Sequence, residues 1–113
     1  MAKILVVDDD ALSLEFINIF LESEGHTVAI AVNLSEAFEA AKLAVPDILI
    51  TDLNLGEESG QDVIKHVKEL NKSVKTIVIT GYDKNYLHDQ HIEYDHLVTK
   101  PVDLNELQKL LQS

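Results

Sequence analysis

The sequence predicts an α/β domain: a doubly wound five-stranded parallel sheet with helices on both faces. Two observations carry this. Short apolar runs rich in Val and Ile alternate along the chain with longer stretches of helical period. Those runs are nearly continuous in Val, Ile and Leu, as strands covered on both faces require. A length of 113 residues holds one such unit, so a single domain over 1–113 is expected. Right-handed crossovers then distribute the helices over both faces.

The elements follow in order. Ile4–Val7 reads as the first strand and runs into Asp8, Asp9 and Asp10. A helix over about Leu12 to Ser23 comes next; it is apolar on more than one side and is expected to pack deepest. Gly25 stands where a left-handed residue would end that helix. Thr27–Val32 is the second strand, and Asn33 with Glu36 has capping-box spacing before the second helix. In that helix Leu34, Ala37, Phe38, Ala41 and Val45 fall on one face, and Pro46 stops it before the third strand, Ile48–Thr51. Val63, Ile64, Val67 and Leu70 mark the third helix, and Thr76–Thr80 the fourth strand. Tyr82–Glu93 is polar, histidine-bearing and the least regular stretch, suited to a short helix only. A weaker strand, Leu97–Thr99, precedes a last helix opened by Asp103 and Glu106, with Leu104, Leu107 and Leu111 in a stripe and Leu110 beside it.

Composition excludes several functions. Nine basic against 20 acidic side chains leave a net charge of −11, which argues against binding a row of nucleic-acid phosphates and disfavours an anionic membrane surface. Without cysteine there is no disulfide, thiolate zinc site or thiol nucleophile. The opening apolar run is too short for a signal peptide, and no run approaches a membrane span, so the expected location is cytoplasmic.

In a sheet of this kind, function sits at the carboxyl ends of the strands, where strand order reverses. Asp8, Asp9 and Asp10 stand at the end of the first strand, Asp52 at the third, Thr80 at the fourth, and Lys100 with Pro101 after the fifth. Taken singly, each has an ordinary explanation as a cap, turn residue or solvated side chain. Together they form a chemical set. Crowded carboxylates call for a cation, and oxygen ligands without His or Cys favour Mg²⁺. A carboxylate facing Mg²⁺ can attack a phosphoryl group, and an ammonium and a hydroxyl can stabilise its oxygens.

These stretches, Ile4–Asp10, Asp47–Asp52, Val78–Gly81 and Thr99–Pro101, make the chain similar to the receiver domain of two-component response regulators, the CheY-like family. The resemblance covers essentially the whole chain and implies strand order 2-1-3-4-5. It implies that Asp52 is the phosphoacceptor. Asp8, Asp9, Asp52 and the backbone carbonyl of Asn54 would then hold Mg²⁺, with Thr80 as the switch hydroxyl and Lys100 as the phosphoryl partner. Pro101 matches a residue that often follows a cis peptide, and Gly60 a loop glycine. The implied partners are a sensor histidine kinase or histidine phosphotransfer protein and an output partner, in a monomer or phosphorylation-linked dimer. The implied role is a switch, not an enzyme beyond its own phosphorylation and dephosphorylation.

Two positions depart from the family's habit. Gly56 replaces a common Pro, which would loosen that loop, and Leu97 replaces an aromatic residue used as a relay. The span from Thr80 to Lys100 is short enough to curtail the fourth helix. Tyr82, two residues after Thr80, would obstruct an attacking water. His88, His91 and His96 read as surface histidines rather than a zinc site.

Two other functions compete on the same architecture. A Mg²⁺-dependent phosphohydrolase with an aspartyl nucleophile would use Asp8, with Asp10 two residues on as acid/base. A flavodoxin-like binder would need a Ser/Thr/Gly-rich first loop, where three aspartates stand instead.

Overall fold

The computed structural model describes residues 2–81 and 93–112. In order these form β1 (Lys3–Val7), α1 (Ala11–Ser23), β2 (Thr27–Ala31), α2 (Leu34–Leu43), β3 (Ile48–Asp52), β4 (Asn54–Leu55), β5 (Glu58–Ser59), α3 (Gly60–Leu70), β6 (Lys75–Thr80), β7 (His96–Thr99) and α4 (Leu104–Gln112). The main sheet is five-stranded in the order β2-β1-β3-β6-β7, and each adjacent pair is parallel. This is the expected order, with β6 and β7 as its fourth and fifth strands. The reversal of strand order falls between β1 and β3, so the crevice above their carboxyl ends is the natural place for a site.

Strand alternation divides the core in two. Ile4 and Val6, Ile48 and Ile50, and Ile77 and Ile79 pack with Leu14, Ile17 and Leu21 of α1 and Leu107 of α4. Leu5 and Val7, Leu49 and Val78 face the other way, against Ala37 and Ala41 of α2 and Val63 and Val67 of α3. Both faces of the central strands are therefore covered, which is why their sequences read as unbroken apolar runs.

Helix ends follow local chemistry. Asn33 caps α2 by accepting the Glu36 N–H at 2.8 Å, while Glu36 accepts the Val32 N–H at 3.0 Å. Gly25 takes a φ of 89° and closes α1 in a Schellman motif, with His26 N–H donating to Leu21 O and Gly25 N–H to Glu22 O.

Three expectations need correction. Helix α1 does not pack deepest. It buries Leu14, Ile17 and Leu21 but leaves Leu12 77%, Phe16 53% and Ile19 60% exposed, because only one of its faces meets the sheet. Val45 lies beyond α2, which ends at Leu43, and it is exposed. The loop after Asp52, to which no strand was assigned, contains the β4–β5 hairpin. Four main helices lie among the described residues. The expectations for Tyr82, His88, His91 and the fourth helix fall on residues 82–92, outside those described.

Candidate functional site

Alternation also determines where the polar residues at the strand ends point. Asp8 continues the spacing of Ile4 and Val6, Asp52 that of Ile48 and Ile50, and Lys100 that of Val98, so all three share the parity of the α1-facing core. Asp8 and Asp52 are almost fully buried at 2% and 3% exposure, and Thr80 at the end of β6 is fully buried. Asp9 is exposed at the rim. The sheet thus collects the predicted residues from four segments at one end.

The two buried carboxylates are oriented in the same way. Asp8 Oδ1 accepts the Asp10 N–H at 2.9 Å, and Asp52 Oδ1 accepts the Asn54 N–H at 2.9 Å. Each is a turn in which the side chain bonds the backbone two residues on, leaving the second oxygen free to face the crevice. On Asp52 that oxygen accepts from the Lys100 ammonium. Asp8 Oδ2 lies 3.8 Å from the same ammonium and is buried with no hydrogen-bond partner among the described residues. Lys100 is set in place by its backbone N–H, which donates to Thr80 O at 3.0 Å, and its peptide bond to Pro101 is cis.

Electrostatics reflect this crowding. Burial pushes the Asp8 carboxyl above its ordinary value. The Asp10 N–H and the Lys100 charge oppose that rise, and the charges of Asp52 and Asp9 add to it. Burial alone would lower the Lys100 ammonium, but the hydrogen bond and charge of Asp52, with the charges of Asp8 and Asp9, outweigh it and hold Lys100 above its ordinary value.

One ligand oxygen from each of Asp8, Asp9 and Asp52 lies within 4.8 Å of the others. Among the described residues Lys100 alone faces these three carboxylates and does not compensate them, and the orphaned Asp8 Oδ2 is a buried acceptor that a cation would satisfy. The donor set is all oxygen and suits a hard divalent cation. Asp10 is not part of it. It caps α1, accepting the Leu12 N–H at 3.0 Å and the Ser13 hydroxyl at 3.1 Å, and these bonds, the Ser13 one foremost, lower its carboxyl below the ordinary value. It is therefore committed to the helix and unsuited to acid/base work at the crevice.

The β4–β5 hairpin is the part of the site that patterning missed. Gly60 N–H donates to Leu53 O at 2.9 Å, Asn54 pairs with Ser59 and Leu55 with Glu58, and Leu55 is buried beneath. The two-residue turn uses Gly56 at a φ of 68°, the conformation tight hairpins demand at their first central residue. Gly56 thus closes a built turn. The signal was available in the spacing Leu55-Gly56-Glu57-Glu58, but strands two residues long leave no hydrophobic period.

Residues 4–112 match the response regulator receiver domain. The chain belongs to this family. A curated relative from Leptolyngbya boryana, described as an uncharacterised 14.6 kDa protein in the sodA1 3' region, is 34% identical over 96% of this chain and 86% of its own length. The chemotaxis response regulator CheY4 of Vibrio cholerae superimposes with a TM-score of 0.88 at 26% identity, covering 99% of this chain and 97% of that one. A response regulator from Burkholderia pseudomallei, solved with a phosphorylated aspartic acid, calcium ion and citrate, also gives 0.88 at 26% identity, covering 100% of this chain and 68% of that one. The receiver domain spans only 25% to 51% of the length of several transcriptional and sensory regulators it also matches.

Receiver domains are signalling switches that interact with histidine kinases or phosphotransfer proteins, and this chain is a receiver domain of that two-component kind. The phosphohydrolase reading is not favoured. Among the described residues, no helix is long and apolar enough to cross a membrane.

Proposed function

We propose that Asp52 accepts a phosphoryl group from a phosphohistidine donor and that Asp8, Asp9, Asp52 and the Asn54 carbonyl hold the Mg²⁺ on which transfer depends. The observation that supports this most is the state of Asp52. It is buried, oriented by the Asn54 N–H, bonded to Lys100, and within 4.8 Å of two further carboxylates. When bound, Mg²⁺ supplies the positive charge that lets carboxylates and phosphoryl oxygens share one crevice.

The chain's own residues do the rest. An Asp52 carboxylate oxygen forms the new O–P bond as the P–N bond to the donor imidazole breaks, and the imidazole nitrogen leaves with the electron pair. Lys100, held to Asp52 beforehand, turns its ammonium to a phosphoryl oxygen, and the Thr80 hydroxyl serves another. The added charge biases a two-state output surface that includes β7, where Leu97, in place of an aromatic relay, is half-buried with Tyr94 against the α2–α3 side of the core. We place this domain over residues 1–113, in the cytoplasm, with a histidine kinase or phosphotransfer protein upstream and an output partner downstream.

Acetyl phosphate with Mg²⁺ tests the assignment. Intact-mass spectrometry should find one phosphoryl group on the wild-type chain and none on Asp52→Asn. Incorporation that persists in the variant would reject Asp52 as the acceptor.

A further inference from the structure

The hairpin that carries Asn54 is tied to a helix with no part in the crevice. Glu58 Oε1 accepts the N–H of Leu34, the first residue of α2, at 3.0 Å across 24 residues of sequence. The first turn of a helix presents N–H groups without intrahelical partners. In α2 the Asn33 side chain takes the Glu36 N–H, whereas the Leu34 N–H goes to Glu58. A carboxylate at the positive end of a helix is held by charge as well as by the hydrogen bond. Glu58 pairs with Leu55 across the two-residue turn, and the neighbouring pair joins Ser59 to Asn54. A hold on Glu58 is therefore a hold on the strand that presents the Asn54 carbonyl.

We propose that Glu58 is a positioning residue for the cation site, registering the β4–β5 hairpin against α2 so that the Asn54 carbonyl is pre-set for Mg²⁺. This rests on the reading of Asn54 and the three aspartates as the Mg²⁺ ligands. The hairpin is anchored near the crevice by Gly60 N–H to Leu53 O and by the buried Leu55, while Gly56 and Glu57 of its turn are exposed. The Glu58 contact lies beside that turn and ties it to α2. Coupling runs both ways: a cation that pulls on the Asn54 carbonyl is felt at the first turn of α2.

Amide NMR during titration with MgCl₂ alone provides the test, with thermal melting recorded on the same samples. In the wild-type chain the Asp9, Asn54 and Leu34 amides should shift together. Glu58→Ala should weaken Mg²⁺ binding about tenfold, the scale of losing a partner that orients a ligand, and uncouple Leu34 from the titration. Glu58→Gln keeps an acceptor oxygen and should restore both. A Glu58→Ala chain that binds Mg²⁺ with wild-type affinity overturns this inference alone. A wild-type chain whose Asp9 and Asn54 amides ignore Mg²⁺ overturns the ligand assignment and this inference with it.

Discussion

A Cβ on Gly60 would stand 2.0 Å from the backbone carbonyl oxygen of Asp52. No side chain fits there. The chain leaves β3 at Asp52, makes the hairpin, and returns to start α3 directly against the carbonyl it left. The glycine is required by that close approach and not by a positive φ.

Gly60→Ala should therefore displace the hairpin or the start of α3, since the clash is with backbone and no rotamer relieves it. A loss of about 1–3 kcal/mol, typical of overpacking, is expected in urea unfolding. Acceptance of a phosphoryl group from acetyl phosphate should fall with it. An alanine variant equal to wild type in both measurements would contradict the packing described.

Asp8 makes stability depend on pH in a definite direction. Its carboxyl is raised above the ordinary value of 3.8 in the folded chain, so the native form holds this proton more tightly than the unfolded chain does. Stability from this group falls as pH climbs from 3.8 through the raised value, and the penalty is complete above it. In EDTA, Asp8→Asn should melt above wild type at neutral pH, and the gap should close as pH drops toward 3.8. A gap that widens on acidification would reverse the sign argued here.

Cation binding should offset the same penalty. Adding Mg²⁺ at a hundred times its Kd should raise wild-type stability by about 2.7 kcal/mol through mass action. EDTA should remove the gain, and Asp8→Asn should lose most of it. Differential scanning calorimetry at fixed ionic strength separates this from general screening.

Helix α1 offers a test of the corrected packing. Leu21 is fully buried, so Leu21→Ala should cost about 2–5 kcal/mol. Ile19 is 60% exposed, and Ile19→Ser should change stability by no more than about 0.5 kcal/mol. Comparable losses from both would mean the helix is buried on two sides.

That helix also marks the limit of the sequence as a guide. Strand order came with the resemblance to the receiver family, whereas the placing of Asp8, Asp52, Thr80 and Lys100 at one end of the sheet was legible because parallel strands put their last residues at one rim, whatever the separation along the chain. Burial of α1 was not, because Phe16 and Ile19 have the composition of core residues and only the sheet decides which face is covered. The hairpin escaped for a different reason. Its order rests on a turn glycine, one buried Leu55 and hydrogen bonds, none of which repeats. The partner of Glu58 lies 24 residues away in another element, and no local pattern pairs the two.

One consequence lies in the foot of the sheet. Ile48, Leu49 and Ile50 are buried alike, so hydrophobicity does not police the frame in which β3 is laid down. A slip of one residue would keep the strand greasy on both sides and turn Asp52 toward the wrong layer. Asp47 guards against this. Its N–H donates to Lys3 O at 2.8 Å, its side chain accepts the Lys3 N–H at 3.0 Å, and its carbonyl accepts the Lys75 N–H at 3.0 Å. One polar residue thus pins β1, β3 and β6 at their starting line, and the aim of Asp52 is decided five residues before the chain reaches it.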